Sequence, residues 1–158
     1  MRKLVLVLMI FLLTVSLYAN FSIGIGLGIP TGLTGKYEFS ESLAMDFGLS
    51  YNFTDFTGSS KGFYLFGDAL LLFPEIIETE KFTLPFYVGA GAGYAVSTGQ
   101  GDVNIGILLA RVPVGIYYPV NINDSTILEP YFELVPIIMV TPIFLPTLQT
   151  CLGVRYRF

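Results

Sequence analysis

The sequence predicts an all-β fold: an eight-stranded, antiparallel, up-and-down transmembrane β-barrel behind a cleavable signal peptide. Composition is the first observation. Of 158 residues, 53% are hydrophobic and 15% aromatic, while 13% are charged, about half the share of an ordinary globular domain. A soluble domain of this length has too much surface to cover with so few charges. The second observation is period: from residue 21 onward, segment after segment alternates in polarity, as strands with two unlike faces do. The third is that the charges fall on the less apolar face.

The chain opens with Arg2 and Lys3, continues with an unbroken apolar run at 4–13, and reaches the small Ala19 through Thr-Val-Ser-Leu-Tyr. That layout predicts an export signal at 1–19 and one barrel domain at 20–158. Ten apolar residues are short for a spanning helix, and no cysteine follows the run to accept a lipid. Removing Arg2 and Lys3 leaves six basic against twelve acidic residues, a net charge of −6 in place of −4. An acidic chain without a basic stripe excludes nucleic acid as a partner.

In the first segment Phe21, Ile23, Ile25, Leu27 and Ile29 share a face opposite Ser22, Gly24, Gly26 and Gly28. The second sets Leu33, Tyr37 and Phe39 against Thr34, Lys36 and Glu38. The third sets Leu43, Met45, Phe47, Leu49, Tyr51 and Phe53 against Ala44, Asp46, Gly48, Ser50 and Asn52. The fourth opposes Leu65, Ala69 and Leu71 to Tyr64, Phe66, Asp68, Leu70 and Leu72, so its second face is only partly polar. The fifth opposes Leu84, Phe86, Val88, Ala90, Ala92 and Tyr94 to Tyr87, Gly89, Gly91 and Gly93.

The sixth starts with Val103, Ile105, Ile107 and Leu109 on the apolar face, where Arg111 would also fall. A one-residue bulge near Ala110 is expected to turn Arg111 inward and Val112, Val114, Ile116 and Tyr118 outward. The seventh sets Leu128, Phe132, Leu134 and Ile138 against Glu129, Tyr131 and Glu133. The eighth sets Leu148, Leu152, Val154, Tyr156 and Phe158 against Gln149, Cys151, Gly153, Arg155 and Arg157. Pro113, Pro130 and Pro136 cannot donate to a ladder and are expected at bulges or strand ends.

Lys36, Glu38, Asp46, Asp68, Glu129, Glu133, Arg155 and Arg157, with Arg111 after the bulge, form a charge cluster on the less apolar face. Lipid on that face would cost roughly 2–4 kcal/mol for each Arg or Lys at mid-membrane depth, so this face is the lumen. Hairpin arithmetic places Lys36 opposite Asp46, Asp46 beside Asp68, Glu133 near Arg155 and Glu129 near Arg157. Tyr51, Phe53, Phe63, Tyr64 and Tyr94 gather at one end of the strands, and Phe39, Phe73, Phe86, Tyr118, Tyr156 and Phe158 at the other, as two interfacial girdles would.

The ending Gly153-x-x-Tyr156-x-Phe158 resembles the C-terminal insertion signal of bacterial outer-membrane β-barrels. The mature chain as a whole resembles the small outer-membrane barrels of the OmpX and OmpA-transmembrane type. That resemblance implies location in the cell outer membrane, contact with its lipid, and handling by periplasmic chaperones and the barrel-assembly machinery, as a monomer; the even strand number predicts both termini in the periplasm.

No chemistry is expected. The chain has no histidine, which removes the Ser-His and Asp-His arrangements. Cys151 stands alone, Asp55 and Asp102 are isolated, and Gly24-x-Gly26-x-Gly28 lacks both the spacing and the helix of a phosphate loop. The glycines are read as the inward face of the first strand, making room for neighbouring long side chains such as Lys36 and Arg155. The functional expectation is a structural or surface-interaction barrel with a filled lumen and no cofactor. Two alternatives stand beside it: a narrow OmpW-like channel or binding barrel for ions or small hydrophobic molecules, and a secreted lipocalin-like barrel for an apolar ligand.

Overall fold

Strict alternation leaves each segment one way to bury a face, and ten strands follow from it: β1 (Phe21–Ile29), β2 (Gly32–Ser40), β3 (Leu43–Asp55), β4 (Gly58–Thr79), β5 (Phe82–Thr98), β6 (Asn104–Arg111), β7 (Val114–Tyr117), β8 (Val120–Asn123), β9 (Thr126–Thr141) and β10 (Leu145–Arg157). This computed structural model describes residues 20–55, 58–79, 82–98, 104–123, 126–142 and 144–157. The expected signal peptide at 1–19 and Phe158 lie outside them.

Every pairing is antiparallel, and the sheet closes on itself because β10 pairs with β1 on one side and β9 on the other. The circuit contains eight strands rather than ten, since β6, β7 and β8 are pieces of one. Leu109↔Met139, Val114↔Leu134 and Val120↔Leu128 keep a single register against β9, and Gly91↔Arg111 and Val88↔Val114 keep one against β5.

Prolines cut that strand into pieces. Pro130 and Pro136 lie inside β9, opposite Val154 and Leu148 of β10. Their carbonyls accept from Tyr118 N (2.9 Å) and Val112 N (3.0 Å), but neither has an N–H to return the bond. The ladder therefore lapses at 112–113 and 118–119. Pro113 does stand at a strand break, as expected; Pro130 and Pro136 do not, and the interruption appears in their partner.

The sixth segment differs from expectation. Ile107 and Leu109 are buried with Arg111, while Leu108 is exposed, so alternation runs through without a bulge at Ala110. The register instead slips between Leu108 and Leu109 against Thr141 and Met139, which places the extra residue, Val140, in β9. Ile107 and Leu109 face inward because an apolar cluster of Tyr64, Phe66, Ala95, Val135, Ile137 and Met139 receives them. Tyr64 belongs to that cluster and not to an outer girdle.

The last hairpin also departs from the expected register. Arg155 pairs with Glu129, and Glu133 with Cys151. Pro146 and Thr147 are still in the ladder, so the turn is shorter and lies closer to residue 142 than a loop over 141–146 would put it.

Tyrosines lie flat across glycines of the next strand. A Cβ on Gly153 would overlap the Tyr131 ring and sit 2.5 Å from the Ile25 carbonyl oxygen, and one on Gly115 would overlap the Tyr87 ring. Gly153→Val should therefore lower unfolding stability by about 1–3 kcal/mol, and Tyr131→Ala in the same chain should relieve part of that loss. Urea unfolding followed by circular dichroism checks both.

Candidate functional site

An eight-stranded closed sheet has an interior just wide enough for side chains, and here β2, β3, β4, β6, β9 and β10 each send charged side chains into it. Lys36, Asp46, Asp68, Arg111, Glu129, Glu133 and Arg155 are each less than 5% exposed, and the Glu38 and Arg157 side chains are 15% and 18% exposed. The nine charges singled out in the sequence are therefore brought together inside. Among the side chains described, Glu41 in the β2–β3 turn is the one charge outside this group.

At the end nearest Asn20 and Arg157, Lys36 Nζ lies 2.6 Å from Glu129 Oε1 and 2.8 Å from Glu38 Oε1. Arg157 Nη2 joins the same two carboxylates, Glu129 Oε2 at 2.8 Å and Glu38 Oε1. Deeper in, Arg155 Nη2 donates to Asp46 Oδ2 at 2.6 Å, and its Nη1 lies 3.5 Å from Glu129 Oε1. Asp46 and Asp68 are neighbours across β3 and β4, yet each has its own arginine. Arg111 Nε donates to both oxygens of Asp68 at 3.0 Å, with Nη2 at 3.0 Å from Oδ2. Its Nη1 donates to Tyr64 Oη (2.5 Å) and Gln149 Oε1 (3.0 Å).

Three of the cations also rest on aromatic faces. Lys36 Nζ is 4.4 Å from the Tyr117 ring centroid, and the guanidinium carbons of Arg155 and Arg111 are 3.9 and 4.0 Å from those of Tyr131 and Phe66. Such stacking favours cations that have been taken out of water. Glu133 is not matched with Arg155, as hairpin arithmetic expects. Its Oε2 accepts from Tyr87 Oη at 2.7 Å and its Oε1 is 3.8 Å from Arg111 Nη2.

Gly153 and Tyr156, expected to carry an insertion signal, have structural places of their own. Gly153 underlies the Tyr131 ring, and Tyr156 is 40% exposed with its Oη 3.2 Å from Thr126 Oγ1. Inside the wall, Gly26 leaves room for Cys151 Sγ and Tyr131 Oη rather than for Lys36 or Arg155. Sequence reading also missed Tyr64, Tyr117 and Gln149 as partners of the buried cations. Their inward parity was the available signal for Tyr64 and Gln149; for Tyr117 it was Arg111, six residues earlier on the same face.

Chemically the arrangement sets four cations against five carboxylates and so offsets most of its charge. Among the described residues no group of three or more His, Cys, Asp or Glu is placed to hold a metal ion. Comparison of the chain with protein-family models, curated proteins and solved structures returns no match.

Removing one partner from a buried pair leaves an uncompensated charge. Arg111→Met should cost about 3–5 kcal/mol, whereas Arg111→Met with Asp68→Leu should recover most of that. Denaturant midpoints of the two variants against the parent chain decide it.

Proposed function

We propose that the protein is an integral outer-membrane β-barrel whose lumen is filled by its own side chains, and that it serves as a structural or surface-interaction element without catalysis. The observation that carries this reading is inverted polarity. Nine charges, four cations and five carboxylates, lie inside the ring, while large apolar side chains stand outside it on every strand of the circuit. They include Ile25 (50%), Leu33 (56%), Leu49 (40%), Leu65 (51%), Tyr94 (50%), Leu108 (44%), Phe132 (42%) and Leu152 (59%). A continuous apolar wall of this kind is costly in water and favourable in hydrocarbon.

Tyr51, Phe63 and Tyr94 toward one end, and Phe39, Phe73, Tyr118 and Tyr156 toward the other, are exposed at 38–68%, where amphipathic rings suit the membrane interfaces. The resemblance of residues 153–158 to a barrel-insertion signal and the export-type run before β1 support the outer membrane as the location. A soluble ligand-binding barrel needs the opposite arrangement, apolar inside and charged outside. The crowded lumen, in which each cation has two or more partners, supports a closed barrel rather than a conducting one.

Expressed with its N-terminal segment in a Gram-negative host, the protein should be recovered in the outer-membrane fraction and migrate faster on gels before boiling than after. Recovery as a soluble protein without detergent overturns the reading. In liposomes neither the parent chain nor Lys36→Ala should pass ions above background, and flux through either shows that the lumen is a gate.

A further inference from the structure

The interior charges do not cancel. Lys36 and Arg157 match Glu38 and Glu129, Arg155 matches Asp46, and Arg111 matches Asp68. Glu133 is the fifth carboxylate against four cations. It is 4% exposed, and its one cationic contact is Arg111 at 3.8 Å, the longest in the network. An uncompensated charge at that depth is strongly unfavourable.

Glu133 also borders an internal cavity that reaches up to Pro30 and Gly32 below the β1–β2 turn. Thr34, Asp46, Ser50, Tyr131 and Arg155 complete its polar lining, and the space open to the centre of a water molecule is about 10 Å³, enough for one. Asp46, 1% exposed, has its Oδ2 on Arg155, while its Oδ1 has no hydrogen-bond partner among the described residues. The cavity therefore joins an excess negative charge, an unused carboxylate oxygen and room for one small guest. The hydroxyl-bearing Thr34, Ser50 and Tyr131 also line it.

We propose that this cavity is a binding site for one monovalent cation, either a sodium-class ion or a proton taken up by the carboxylate pair beside a bound water, held between Glu133 and Asp46. The guest supplies the positive charge that the four buried cations leave short. Arg155 limits the site to a single charge, because it already neutralises Asp46. The other groups facing Glu133 are Tyr87 from β5, Arg111 from β6, and Arg155 and Cys151 from β10. The site needs only the closed ring, whatever surrounds the outer wall.

The test is thermal unfolding of the purified, folded protein, by far-ultraviolet circular dichroism, in sodium chloride and in choline chloride of equal ionic strength. A ligand that binds only the folded state raises the midpoint by mass action. A sodium-class guest should raise it by about 3 °C over choline near pH 8, and a proton should instead raise it by a similar amount on going to about pH 5 in either salt. Glu133→Gln, which keeps an acceptor for Tyr87, should abolish whichever shift the parent chain shows. A parent chain with neither shift, or a shift that survives Glu133→Gln, overturns the proposal.

Should that variant not fold, the parent chain answers directly. Sodium-23 relaxation competed by lithium supports the ion, and an infrared band of a protonated carboxyl near pH 6, where exposed carboxyls are still ionised, supports the proton. Absence of both overturns the site. Membrane recovery and gel migration are separate readouts, so failure here leaves the barrel reading standing, and the reverse.

Discussion

A ring closed by backbone hydrogen bonds leaves its interior side chains little but one another, and the pairing of buried charges is the constraint on which the rest of the structure depends. Each ion removed from water loses hydration worth several kcal/mol. Only short, multiple contacts in the low-dielectric interior repay that loss. Arg111 and Arg155 meet the requirement in the same way: a carboxylate at 2.6–3.0 Å on one side and an aromatic face about 4 Å away on the other. The rings in turn require glycine beneath them. Tyr131 lies over Gly153, and Phe66 lies over Gly48. A glycine on one strand thus permits a ring from the next, the ring supports a cation, and the cation holds a carboxylate from across the ring. Alternation puts all four on one face; register decides which of them meet.

Register is robust enough here to absorb residues that ought to disturb it. Pro130 and Pro136 sit mid-strand in β9, where a missing N–H removes half of a bonded pair. The other half survives in each case, through the proline carbonyl, so the partner strand loses ladder continuity without losing its place. Glu129 and Glu133 bracket Pro130 on the inward face, and both reach their cations. An edge would tolerate the prolines more cheaply. A closed circuit has none, and the cost is borne by breaks at 112–113 and 118–119 that leave side-chain parity unchanged.

That insensitivity explains how much was legible in the sequence. Parity is local, and wherever the two faces differ in polarity it reads directly: β1, β2, β3, β5 and β10 have the inward residues that alternation assigns. It misleads where both faces are apolar. Ile107 and Leu109 could have served as outer wall, and nothing within β6 tells that Tyr64 and Phe66 of β4 have left apolar space for them. Pair identity is less legible than parity, because it depends on where a turn closes. The tight turn at residues 41–42 fixes Lys36 opposite Asp46, while the proline-rich turn near residue 142 lies closer to β9 than symmetry suggests and passes Glu133 from Arg155 to Tyr87 and Arg111. Aromatic position has the same weakness: Tyr64 stands among girdle residues in the sequence, but its parity is inward.

The same crowding bears on conduction. Opening a path past the middle of the ring means moving Arg111 or Arg155, and neither can swing without leaving a carboxylate and a ring together. Arg111 would also abandon Tyr64 and Gln149. A gate of the simplest kind exchanges one ion pair for another of equal worth. Here the carboxylates near Arg155 are already engaged: Glu129 by Lys36 and Arg157, Asp68 by Arg111 on two oxygens. Glu133 is the exception, and it is the group whose rearrangement would cost least. It is the one interior acidic side chain among those described that the rest of the network leaves short of a cation.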